Sequence, residues 1–392
     1  MSPTPRSLNQ CFTVDDLRAL AKARLPRAVF DFYDGGAEDE QTLKANRAAF
    51  EQLRWRPQVL RNVSTVHCDS ALFGRPLGLP LAIAPTGAAG FGHPDADIGL
   101  AQAAARRNIP YTLSSSATTS IEVIADKAGG RLWFQAYVLK DQAFFWKMVD
   151  RARVAGYESL IITVDLAVGG KRVRDLRNHF GIPFRFTARN AIDFASCPRW
   201  LTRLLYRGMP TQENMRGMDG GEPTARGVRA ASALASSVGR NHDASFDFDR
   251  LAQVRDRWPG RLIVKGVNRG DDAARLVQLG CDALVVSNHG GRQLDGGRAS
   301  LEALPEVLAG VAGRIPVWMD GGVRHGGDIA RAIAMGAGGV LVGRATLYGA
   351  VAQGPAGAQR ALDILEEELR RTLALCGVTR IADLSADLLA SR

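Results

Sequence analysis

The sequence predicts a (β/α)8 barrel of the α/β class, with an N-terminal helical extension and a long insertion after the fourth strand. Three observations carry that expectation. From residue 81 onward, eight short apolar runs alternate with helix-periodic stretches. The runs show little polar alternation, as strands covered on both faces do. Polar and charged residues collect where the runs end, and barrels of this kind build their active sites at the C-terminal ends of their strands. A doubly wound open sheet would alternate in the same way, but eight runs favour closure.

Residues 1–80 form the extension, with a helix expected over Val14–Ala23. The barrel occupies 81–392. Its strands are expected at Leu81–Pro85, Pro110–Ser114, Leu132–Val138, Ser159–Asp165, Leu262–Val267, Ala283–Asn288, Pro316–Asp320 and Gly339–Gly343. Helices are expected at Asp95–Arg107, Ile121–Lys127, Asp141–Ala155, Phe248–Trp258, Asp271–Leu279, Ser300–Leu308 and Asp328–Met335. Several open on Asp or Ser, whose side chains accept from free N–H groups of a first turn. Residues 166–247 break the repeat, and a connection that long serves a function or is disordered. In it Arg185, Arg189, Arg199, Arg203 and Arg207 interleave with Phe184, Phe186, Phe194, Trp200, Leu201, Leu204, Leu205 and Tyr206. Such a mixture suits an anionic membrane surface, here through 184–210, a lid over a site, or an oligomer contact.

The chain has 392 residues, of which 46% are apolar and 23% charged, so wholesale disorder is not expected. A formal net charge of +10 fits an anionic cofactor, an acidic substrate, nucleic acid or a membrane surface, without choosing among them. The five cysteines are scattered with no CxxC pair, which predicts neither a disulfide framework nor a zinc site. No run is long enough to span a bilayer, and no signal peptide is expected. A reducing, cytoplasmic setting follows as an expectation.

Residues 287–295 read Ser-Asn-His-Gly-Gly-Arg-Gln-Leu-Asp, directly after the sixth apolar run. His289 can move a proton near neutral pH. Arg292 can clamp a carboxylate through its planar fork. Asp165, at another strand end, is placed to orient His289. Lys265 sits within a strand, where a lysine is rarely left unpaired. It reads as a fixed charge beside an anionic cofactor, as the partner of a core carboxylate, or as a Schiff-base lysine. Gly-rich turns with Arg324 and Arg344 follow strands seven and eight, where barrels commonly bind phosphate. No GxGxxG opens a βα unit, which disfavours a dinucleotide fold. The remaining histidines, His67, His93, His179, His242 and His325, have no such company and are read as structural.

With these residues in view, the chain resembles the FMN-dependent α-hydroxy-acid dehydrogenase/oxidase family, most nearly its mandelate-oxidising branch. The likeness spans nearly the whole sequence. It includes Leu25-Pro26, Gly35-Gly36-Ala37-Glu38-Asp39, Thr163-Val164-Asp165, Lys265-Gly266, the 287–295 motif and Gly343-Arg344. The resemblance implies FMN as cofactor and a 2-hydroxy acid as substrate, with no metal and no nucleic acid. It implies His289 as base, Asp165 as its partner, Tyr137 on the substrate oxygen, and Arg292 and Arg172 on the carboxylate. Lys265 is expected to stabilise negative charge on the flavin. Pro85, Thr86, Gly87, Ser114, Gln135, Thr163 and Ser287 are expected around the ring and ribityl chain. Asp320, Gly322, Arg324, Gly343 and Arg344 are expected at the ribityl and phosphate groups. The family usually has a tyrosine where this chain has Phe32. Gly87 stands where the family's oxidases commonly have alanine, and Ser116 stands where glycolate oxidase has tryptophan, which leaves room for a bulky substrate. A dehydrogenase passing electrons to a quinone-like acceptor is expected, the alternative being an oxidase that makes hydrogen peroxide. The branch also implies a homo-oligomer, a tetramer by resemblance, and a membrane-binding insertion on the inner face of the cell membrane.

Overall fold

The computed structural model describes residues 4–178, 188–218 and 241–391. Eight parallel strands close into a barrel. They are β1 Leu81–Ile83, β2 Pro110–Ser114, β3 Arg131–Tyr137, β4 Ser159–Thr163, β5 Arg261–Val267, β6 Ala283–Val286, β7 Val317–Met319 and β8 Gly339–Val342. The ring is sealed by β8 on β1, with Val340 opposite Leu81. Each strand falls on an expected apolar run.

The two-residue period of a strand sorts side chains to opposite faces. One set, including Ile83, Leu113, Phe134, Leu160, Ile162, Val264, Leu284, Val286 and Val340, joins the main core with the helices. The other set, Ala82, Trp133, Ile161, Ile263, Val285, Trp318 and Leu341, packs as a separate cluster. Trp133 and Trp318 meet edge to face at 6.0 Å, and Leu72 and Leu77 of a small hairpin join them. Two or four residues further along the same rows come Gln135 and Tyr137, Thr163 and Asp165, Lys265, Ser287 and His289, and Asp320. The alternation that fills one end of the barrel with apolar groups therefore carries polar ones at its C-terminal end.

The expected helices are present within a few residues of their expected bounds. Of the expected Asp or Ser openings, Asp141 caps its helix, accepting from Phe144, while Asp95 does not; Ser120 and Asp247, each one residue before an expected helix, accept from Val123 and Arg250. Outside the insertion, three α-helices among the described residues were not expected. Arg27–Asp34 and Gln41–Gln52 are short and belong to the extension, and Arg344–Leu375 follows β8. The last is interrupted at Gln353 and Gly354, whose backbone is not helical, and that break hides its periodicity. The insertion supplies helices at Val173–Arg177, Ala188–Ala195 and Pro198–Arg207. Phe184, Arg185, Phe186 and His179, and the side chain of Arg189, lie outside the described residues.

Candidate active site

The 287–295 loop leaves β6 through three successive left-handed residues, with φ of 58°, 64° and 74° at His289, Gly290 and Gly291. Histidine is not glycine, and holding it there costs conformational energy that the surroundings must offset. Part of the offset is visible. The His289 amide donates to Ser287 Oγ (3.0 Å), and Ala37 N donates to Gly291 O (2.8 Å). A Cβ on Gly291 would stand 2.6 Å from Leu43 N, so the extension packs on this loop as only glycine allows. Asp295 accepts from the amides of Asp39 and Thr42, and Asn288 exchanges amide hydrogen bonds with Asn46. Much of the motif thus fastens the extension over the barrel mouth.

His289 Nδ1 is 2.9 Å from Asp165 Oδ1, and Tyr137 OH is 3.3 Å from His289 Nε2. Burial opposes the Asp165 charge, but His289 and Lys265 hold its pKa below the usual value. An ionised carboxylate only accepts, so Nδ1 carries the proton and Nε2 presents a lone pair. Burial lowers the His289 pKa, with Asp165 pulling against it and Lys265 adding to the fall. The imidazole is therefore neutral at pH 7 and available as a base.

Lys265 is almost fully buried, 3.1 Å from Asp320 Oδ2, and donates to Ser287 Oγ at 2.8 Å. Burial disfavours its charge, yet Asp320 and Asp165 raise its pKa on balance. It remains an ammonium ion and is a poor imine-forming nucleophile. The core-carboxylate reading of Lys265 is thus met by Asp320, while both residues still face the cavity.

That cavity measures about 340 Å³ and opens at the C-terminal ends of the strands. Pro85, Thr86, Gly87 and Ser116 line it from β1 and β2, and Tyr137, Lys265 and His289 from the middle strands. Gly322, Arg324, Gly343 and Arg344 line it from β7 and β8. Phe32 of the extension and Arg172 and Arg292 complete the wall. Ser114, Gln135 and Thr163 stand behind it as a chain: Ser114 Oγ donates to Gln135 Oε1 (2.9 Å), and Gln135 Nε2 to Thr163 Oγ1 (3.0 Å).

Arg292 donates to Phe32 O and Gly35 O, and its guanidinium sits 5.3 Å from the Phe32 ring. Burial pushes its pKa well down, and Arg172 and Arg344 push the same way. Like charges so placed favour an anion beside them. Arg344 spends Nε, Nη1 and Nη2 on the carbonyls of Tyr33, Gly290 and Gly35. It therefore also ties the extension to the motif loop, which its place after strand eight did not reveal.

The structural reading of His242 needs correction. Its ring lies 5.0 Å from that of Tyr137 and lines the cavity. Neither ring nitrogen has a hydrogen-bond partner. The residue stands near the C-terminal end of the insertion, and no local motif marks it; its backbone bridge to Leu139 brings it in. Phe194, Trp200, Met209 and Gln212 of the insertion also line the cavity, so its described part closes over the site.

A family model for FMN-dependent dehydrogenase matches residues 21–391. The chain is 40% identical to (S)-mandelate dehydrogenase of Pseudomonas putida over 378 residues, covering 96% of this chain and 93% of the relative. It is 38% identical to an L-lactate dehydrogenase of Xanthomonas axonopodis pv. citri, covering 95% of each. Among solved structures, the monotopic membrane protein (S)-mandelate dehydrogenase superposes with a TM-score of 0.92 at 39% identity, over 98% of this chain and all of that one. A mandelate oxidase superposes at 0.80 with 33% identity, over 98% of this chain and 99% of that one.

Proposed function

The chain belongs to the FMN-dependent dehydrogenase family, and on that premise we propose that it oxidises a bulky, mandelate-like 2-hydroxy acid to the 2-oxo acid and delivers the electrons to a quinone-like acceptor. The observation that carries the reading is a neutral His289, oriented by Asp165, beside the paired guanidiniums of Arg172 and Arg292.

The residues present fit FMN. Thr86 Oγ1 and Asp320 Oδ1 are buried without a protein partner and face a cavity that needs polar contacts. A Cβ at Gly343 would meet nothing closer than 3.7 Å, so the absent side chain leaves space there. Thr86, Gly87 and Lys265 would hold the flavin ring, and Asp320, Gly322, Arg324, Gly343 and Arg344 the ribityl and phosphate groups, with Pro85, Ser114, Gln135, Thr163 and Ser287 supporting. Bound FMN supplies a two-electron acceptor. The protein does the rest. Arg172 and Arg292 bind the carboxylate, Tyr137 hydrogen-bonds the substrate oxygen, and His289 Nε2 takes a proton. Asp165 stabilises the imidazolium that results. Oxidation removes two hydrogens, one from C2 and one from its hydroxyl, and leaves a carbonyl.

Anaerobic mixing with a panel of 2-hydroxy acids tests this: mandelate-like acids should bleach the flavin. A colourless protein that cannot be reconstituted with FMN would end the reading. Rapid reoxidation by oxygen with peroxide release would assign an oxidase instead. Borohydride trapping at Lys265 would point to a Schiff-base enzyme.

Peripheral membrane contact on the cytoplasmic face is part of the proposal. Among the described residues, no helix is long and apolar enough to cross a membrane. Pro198–Arg207 instead leaves Leu205 and Tyr206 exposed, while Trp200 is buried and donates to Phe91 O at 2.6 Å. Arg199 and Arg203 lie close enough to lower the Arg24 pKa, after burial, so this face is cationic. A homo-oligomer, tetrameric by family resemblance, belongs to the same proposal.

A further inference from the structure

The cavity contains polar atoms that the chemistry above does not use. His242 is buried with 8% of its surface exposed, and both of its ring nitrogens lack a partner. Gln212 lines the same cavity and its Oε1 is buried and unpartnered. Burial, then His289 and Arg172, lower the His242 pKa to about 4, so the ring is neutral at pH 7. A neutral imidazole offers one N–H donor and one lone pair. Leaving such groups unmatched in a protein interior costs more than a hydrogen bond to them contributes.

These groups are distinct from those assigned above to the cofactor or to the reacting carbon. Thr86 and Asp320 lie on the β1 and β7 side of the cavity, where the flavin contacts are proposed. His242 instead sits against Tyr137 with its ring tilted by 43°, and its backbone is pinned beside the end of β3 by hydrogen bonds from Lys140 to Asn241 and from Asp243 to Val138. Gln212 belongs to the insertion that covers the site. The small residues Gly87 and Ser116 leave space for a large side chain; a Cβ on Gly87 would already stand 3.1 Å from Ser116 Cβ.

We infer that His242, with Gln212, selects 2-hydroxy acids whose bulky side chain carries a hydroxyl group. A hydroxyl has one proton and spare lone pairs, so its oxygen would accept from the imidazole N–H while its single proton goes to the Gln212 carbonyl on the same cavity wall. An unsubstituted phenyl group would leave all three atoms unmatched. His242 is a specificity-determining residue on this account and takes no proton from the reacting carbon. The inference rests on the 2-hydroxy-acid reading of the site.

The test compares kcat/KM for mandelate and for its 3- and 4-hydroxy forms in the holoenzyme. The wild type should prefer at least one hydroxylated acid by about tenfold, the worth of one hydrogen bond. His242→Leu should bring that ratio close to one, and His242→Gln should restore part of it. Thermal midpoint and bound flavin report whether each variant is folded. A purely structural role would lower the rates for all three acids by the same factor, and a ratio unmoved by His242→Leu would overturn the inference. If none of the acids bleaches the flavin in the wild type, the proposed function fails rather than this refinement of it.

Discussion

Asp165 and His289 are joined by a 2.9 Å hydrogen bond between residues 124 apart in sequence, one at the end of β4 and the other in the loop after β6. The bond settles which nitrogen of His289 faces the cavity. It also sets the direction of the pH dependence. Because burial lowers the His289 pKa below 6.5, kcat/KM should be flat through neutral pH and fall only as pH drops below the ordinary imidazole value. An acid limb above pH 6.5 would contradict that.

His289→Gln should slow flavin reduction by about 10²–10⁴-fold, the usual contribution of a positioned base. FMN should stay bound, because the side chain is not among the proposed flavin contacts. Anaerobic stopped-flow spectroscopy reads both quantities at once.

Lys265→Met would leave Asp320 buried without its cation. Breaking a buried pair this way costs about 3–5 kcal/mol. The thermal midpoint and the flavin-to-protein absorbance ratio should both fall, and unchanged values would show that the pair holds neither the fold nor the cofactor.

Phe32→Tyr would place a hydroxyl beside Arg292, whose guanidinium already rests over that ring. A hydrogen bond to a charged group contributes about 1.5–3 kcal/mol, roughly 10–100-fold in binding. KM for small acids such as lactate should fall by that order. Bulky acids should gain less or lose, because the new hydroxyl takes apolar contact area.

Asp34 ties three parts of the chain together. It accepts from Arg18 (2.6 Å), Tyr348 (2.7 Å) and Arg174 (2.9 Å), the last lying two residues from Arg172. Burial works against its charge, yet these partners hold its pKa far below the usual carboxylate value. A carboxyl depressed in the folded state stabilises above its unfolded pKa, and the gain is lost as pH falls through the folded value. Asp34→Asn should cost about 1.5–3 kcal/mol at pH 7 and progressively less in acid. Denaturant melts at pH 7 and pH 3 check the sign.

Leu205→Glu with Tyr206→Glu should abolish co-sedimentation with anionic vesicles while flavin stays bound. Neutralising Arg199, Arg203 and Arg207 should make any residual binding insensitive to salt. Vesicle binding that survives both changes would remove this helix from the membrane proposal.

By itself the sequence determined the barrel and the chemical types at its mouth. Buried parallel strands must read as apolar runs, and their two-residue period must place Gln135, Tyr137, Thr163 and Lys265 on the row that begins with Trp133, Ile161 and Ile263. Those are local consequences of covalent geometry and burial. The 287–295 motif was legible because a base, an anion clamp and tight turns sit within nine residues. Tertiary structure alone decided which groups meet. It gave Lys265 to Asp320, turned much of the motif toward the extension, and engaged Arg344 with three carbonyls. It also brought His242, near the end of the insertion, against Tyr137. Such pairings depend on closing loops of about fifty to three hundred residues, and neither propensity nor periodicity encodes that.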